Sequence, residues 1–91
     1  MLEDYDKIEK MFKKLITQMR GVLSGEEQRE IIGYIDTNDF EAALEALVDI
    51  LAEKAGPLPK PCIQEAGKLA KALEMPGEFA RIQKELAKKT G

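Results

Sequence analysis

Apolar residues recur along this chain at the three- and four-residue spacing of amphipathic helices, and nowhere do β-branched residues alternate over five or six positions as a strand would require. From Leu2 to Leu23 the positions Leu2, Tyr5, Ile8, Phe12, Leu15, Met19 and Val22 form one such stripe. Ser24-Gly25-Glu26-Glu27 then reads as a capping box, the serine accepting from the backbone three residues on and Glu27 reaching back. It opens a second helix with Ile31, Ile32 and Ile35 inward. Asp36-Thr37-Asn38-Asp39 is a break, and Asn38 is expected to be the N-cap of a third helix, with Glu41 at its third position.

In that third helix Phe40, Ala43, Leu44, Leu47, Val48 and Leu51 span an apolar face about 160° wide, the widest in the chain, which predicts a central position. Gly56-Pro57 is expected to end it, the glycine in a left-handed closing position. Pro57-Leu58-Pro59-Lys60-Pro61 reads as a stiff extended connector. A fourth helix follows with Ile63, Ala66, Leu69, Ala70 and Leu73 inward. Met75 precedes Pro76 and is biased away from helix, so a break falls there before a last helix carrying Phe79, Ile82 and Leu86. The expected fold is all-α, one small antiparallel bundle of four to five helices over residues 1–91.

Composition narrows the function. At 91 residues there is room for one domain, and 44% apolar against 34% charged residues fits a folded, helix-rich protein rather than a disordered one. Histidine is absent and cysteine occurs once, so disulfide frameworks, Cys/His zinc sites and imidazole-dependent nucleophiles are excluded. No apolar run approaches a membrane span, and the acidic N-terminus is unlike a secretory signal. With one free thiol, Cys62, a reducing cytoplasm is the expected location. Neither a cofactor nor a metal is expected, and neither is enzymatic activity.

The net charge of −3 conceals a segregation. Residues 1–25 carry five basic and four acidic groups, residues 26–53 nine carboxylates against Arg29 alone, and residues 54–91 eight basic against four acidic groups. The central block, at −8, repels nucleic acid and calls for a basic partner or for neutralisation by the C-terminal segment.

Several chemistries do not fit the residues present. A calcium loop from Asp36 fails because Phe40, Glu41 and Leu47 stand where a ligand, a glycine and the bidentate glutamate belong. Ser24, the only serine, is better explained as a helix cap than as a carrier-protein attachment site. Cys62 at a helix start reads as a small core residue. The cations Arg81, Lys84, Lys88 and Lys89 suit a helix C-terminus without any phosphate ligand.

One pattern resists a local explanation. Glu41, Glu45, Asp49 and Glu53 recur every four residues on the third helix, a drifting stripe about 18 Å long. Like charges at this spacing cost a few tenths of a kcal/mol per pair, where alternating Lys and Glu would have stabilised the helix. Either the stripe is neutralised internally, by Lys60, Lys68 and Lys71, or it docks a basic partner, with Ala42 and Ala46 low enough beside it for close approach. Asp39 and Glu30 are carried as its margins. Glu26, Glu27 and Glu30 need no partner, because acids at a helix N-terminus are favourable in themselves.

The run from Leu23 to Leu73 resembles the MafI-like immunity proteins, which include immunity proteins of contact-dependent growth inhibition systems. The residues that carry it are Leu23-Ser24-Gly25-Glu26-Glu27, Ile35-Asp36, Asn38-Asp39-Phe40, Ala43-Leu44-Glu45-Ala46-Leu47, Leu51, Glu53 and Leu69-Ala70-Lys71-Ala72-Leu73. They cover a little over half of the chain and are mostly caps and core positions. The resemblance implies an all-helical cytoplasmic protein that neutralises, by stoichiometric binding, the toxin domain encoded beside it, commonly a nuclease. It supplies no universal site residues, since each member is matched to its own toxin. The alternative is a helical adaptor or regulatory subunit with no toxin partner.

Overall fold

The computed structural model describes residues 5–54 and 56–89, and among them the chain is helical throughout, with only short connections. Helix α1 spans Tyr5–Gln18, α2 Gly25–Asp36, α3 Phe40–Glu53, α4 Lys60–Ala72 and α5 Pro76–Arg81, after which a π-helical turn (Ile82–Leu86) and a 3₁₀ turn (Ala87–Lys89) continue α5. The expected all-α bundle is what forms. Helix α3 packs against α2, α4 and the π-helical turn, while α1 lies mainly along α4.

Helix α1 buries Ile8, Phe12, Leu15 and Ile16. Leu2, the first position of its sequence stripe, lies outside the described residues. The helix stops at Gln18, short of the expected Leu23, and the chain closes through turns in which Leu23 N–H donates to the Met19 carbonyl at 2.8 Å. Gly21 weakens helix here, and Ser24 needs an extended backbone to cap α2. Met19 and Leu23 still reach the core. The capping box is present: Ser24 Oγ accepts from Glu27 N–H at 3.1 Å, and Ser24 N–H donates to Glu27 Oε1 at 2.9 Å.

Three local expectations are corrected. Ile32 is not a core residue but 36% exposed, while Ile31 and Ile35 are buried. Successive helical residues turn 100° apart, and only a narrow arc of α2 is covered. Asn38 is not the N-cap of α3. It adopts φ 58° and closes α2 in a Schellman motif, its N–H donating to Ile35 O at 3.0 Å while Asp39 N–H donates to Tyr34 O at 2.8 Å. Asparagine tolerates the left-handed conformation, and Asp39 becomes the N-cap, without a side-chain hydrogen bond. Finally, α3 ends at Glu53 by an extended turn at Lys54 (φ −70°, ψ 137°), and Gly56 has no left-handed φ.

The proline-rich connector is shorter than its sequence suggests, because α4 begins at Lys60 and takes Pro61 into its first turn, where the missing N–H is not needed. Within the connector Leu58 is buried, and its N–H donates to the Lys89 carbonyl at 2.7 Å. Helix α4 buries Cys62, Ile63, Ala66, Gly67, Leu69 and Ala70. It closes in a second Schellman motif around Glu74, φ 57°, with Met75 N–H donating to Ala70 O at 2.8 Å. Phe40 and Phe12 stack at 6.0 Å between ring centres, tying the start of α3 to α1.

Candidate protein-binding face

Helix α3 supplies both the centre of the core and the acidic stripe. Phe40, Ala43, Leu44, Leu47, Val48 and Leu51 are all 2% exposed or less. With that arc fixed inward, the four-residue repeat carries Glu41, Glu45, Asp49 and Glu53 from its edge to the opposite side, and all four are exposed. Ala42 and Ala46 are half-buried, and Asp39 and Glu30 are exposed. The stripe therefore sits on a backbone that the core holds rigid.

Its middle is occupied from within the chain. The Arg81 guanidinium donates to Asp49 Oδ1 at 2.5 Å through Nη1 and to Glu85 Oε2 at 2.9 Å through Nε. Neutralisation thus comes from the C-terminal segment, as its charge allows, but through Arg81 rather than through Lys60, Lys68 or Lys71. Lys71 instead lies over the Phe79 ring, 4.9 Å from its centre. Lys54, from the same segment, binds Glu27 Oε1 at 2.7 Å and so ties the end of α3 to the start of α2. That contact and the Ser24 N–H hold the Glu27 carboxyl below the usual range, the lysine being the larger influence.

Sequence reasoning missed Glu78. Its Oε2 is buried without a hydrogen-bond partner among the described residues. Burial pushes its pKa up, Arg81 opposes this, and the fields of Glu45, Asp49 and Glu85 add to the rise. Helix α5 thereby places a fifth carboxylate near the stripe. The signal was the Glu78, Arg81, Glu85 spacing, which puts all three on one flank, but nothing local says that this flank meets α3. Glu41, Glu45 and Glu53 have no ion pair among the described residues.

Cys62 is 1% exposed, with its thiol pKa raised by burial, so the reactive thiolate is disfavoured. Among the described residues no cluster of three Asp, Glu, Cys or His side chains is placed to hold a metal ion. None of the described helices is long and apolar enough to cross a membrane. No family model, curated protein or solved structure matches this chain.

Proposed function

We propose that this protein is an immunity protein that binds a bacterial toxin domain, a basic nuclease, and neutralises it one-to-one in the cytoplasm without catalysis. The observation that carries this reading is the row of exposed carboxylates on α3, of which Glu41, Glu45 and Glu53 have no ion pair among the described residues. A nuclease site is basic because it binds phosphates, and carboxylates at helical spacing present it with complementary charge. Electrostatic attraction accelerates association, which matters for an inhibitor that must act before damage occurs. The resemblance carried by Leu23–Leu73 supplies the identity of the partner, which charge alone does not.

The test is to co-express the protein with the toxin domain encoded by the adjacent gene. Glu41→Lys combined with Glu45→Lys should slow association by an order of magnitude or more and abolish growth rescue, with the loss shrinking as salt rises. Both positions lie outside the Arg81 pairing, so the variant should stay folded, losing only the roughly 0.3–1 kcal/mol that an acid contributes in the first turn of α3. A folded double variant that still protects fully would remove the acidic face from the mechanism. Protection at amounts far below one equivalent of toxin would point instead to an enzyme.

A further inference from the structure

Helix α5 is the least embedded of the described helices. None of its residues, Pro76–Arg81, is fully buried, whereas α1, α2, α3 and α4 each bury several side chains. Both of its ends are tied. At one, α4 closes at Glu74, φ 57°, before Pro76 opens α5. At the other, Ile82 and Leu86 are fully buried. Beyond them Lys89 clasps the connector, its carbonyl accepting from Leu58 N–H at 2.7 Å and its ammonium donating to Lys54 O at 2.6 Å. Between these anchors α5 rests on α4, with Phe79 beside Gly67, and reaches α3 through the Arg81–Asp49 pair. It forms a short strap at the edge of the acidic face.

That strap carries a carboxylate oxygen with no donor. Glu78 Oε2 is buried without a hydrogen-bond partner among the described residues. Arg81, the cation one turn along the helix, is already engaged, with Nη1 on Asp49 and Nε on Glu85. Helix α4 brings Lys71, but its ammonium lies over the Phe79 ring and forms no ion pair with Glu78. Helix α3 brings Glu45 and Asp49, and the π-helical turn brings Glu85, so three further carboxylates act on Glu78 against one guanidinium. An ionised oxygen buried without a donor is far less stable than a neutral one, and water supplies donors as soon as the strap lifts. Burial first, and then these carboxylates against Arg81, raise the Glu78 pKa for the same reason.

We infer that α5 is a proton-gated strap: it lies closed while the Glu78 carboxyl is neutral, and ionisation shifts it toward a locally lifted form while the rest of the bundle stays folded. Little opposes the lifting. Helix α5 contributes no fully buried side chain, so the apolar surface it exposes is mainly that of the half-buried Phe79. Ile82 and Leu86 remain in the core, and the turn at Glu74–Pro76 serves as the hinge. Lifting takes Arg81 from Asp49 and leaves one more free carboxylate on α3, whatever that face binds. The lifted population should rise with pH between 4.5, the value of the solvated carboxyl, and the raised value of the docked one, and then level off.

Native-state hydrogen exchange of the purified full chain, read amide by amide by NMR and corrected for intrinsic rates, tests this without any partner. The Phe79 N–H, bound to the Met75 carbonyl at 3.0 Å, reports on α5, and the Leu47 amide reports on α3. The α5 amide should be protected about tenfold less than that of α3 or weaker still, and low urea should leave its exchange unchanged, the mark of a local opening. Its protection should fall about twofold or more between pH 4.5 and pH 8. Glu78→Gln keeps the shape and removes the charge, so at pH 8 it should protect α5 as the parent does at pH 4.5. An α5 amide protected as strongly as Leu47, a parent profile without pH dependence, or a dependence that survives Glu78→Gln would each overturn the inference.

Discussion

Arg81 and Asp49, 32 residues apart, meet as an ion pair that bridges α5 and α3. The contact fixes the C-terminal helix against the acidic face and removes one carboxylate from it. Asp49 remains half open to solvent, so water and salt screen the pair and its contribution to stability is small. Arg81→Gln should therefore change stability by less than about 1 kcal/mol, while adding one uncompensated carboxylate to the face. If that face docks a basic toxin, Arg81→Gln should bind faster at low salt, the opposite of Glu45→Lys. Stopped-flow association rates at two salt concentrations make the comparison.

The core prediction concerns α3. Leu44 and Leu47 are fully buried, and replacing either with alanine should cost about 2–5 kcal/mol in denaturant unfolding, from lost burial and the cavity left behind. Losses near zero for both would mean that α3 is not the centre of the core.

The pH dependence of stability should have two limbs. Glu78 has a raised carboxyl pKa in the fold, so its charged form opposes folding and stability should rise as pH falls through that pKa toward the unfolded value near 4.5. Glu27 has a lowered pKa, so its contribution is present above the unfolded value near 4.5 and is lost as pH falls through the folded one. Thermal melts should peak on the acidic side of neutrality. Glu78→Gln should raise stability at pH 7 and flatten the upper limb, leaving the acid limb in place. A Glu78→Gln variant whose pH profile matches the parent's on the upper limb would contradict the raised carboxyl pKa of Glu78.

Two backbone positions give predictions of the same sign. Glu74 holds φ 57°, a conformation that costs an L-residue about 1–2 kcal/mol and glycine almost nothing, so Glu74→Gly should stabilise by about 1 kcal/mol. Gly67 lies inside α4, and a Cβ there would sit 3.5 Å from the Phe79 ring, an ordinary contact. Gly67→Ala should therefore gain about 0.5–1 kcal/mol from helix propensity, whereas Gly67→Leu should displace Phe79 and lose stability. Chemical denaturation of the three variants checks all of these.

The sequence alone determined where helices form and, for α3 and α4, which faces they bury. Amphipathic spacing located Phe40 through Leu51 and Ile63 through Leu73, because a helix must hide its apolar stripe wherever it lies. The capping box at Ser24 was equally legible, since both of its hydrogen bonds close within three residues. The ends of α2 and α3 were not legible. Asn38 suits an N-cap and a left-handed closing residue alike, and the choice depends on how far α2 continues. The exposure of Ile32 and the pairing of Asp49 with Arg81 were decided only by the tertiary structure. Both depend on which flank of one helix meets a distant segment, and helical periodicity defines faces without saying what lies against them. The burial of Glu78 Oε2 has the same origin: a carboxylate three residues from an arginine reads as a surface pair until the fold brings Glu45 and Asp49 near it.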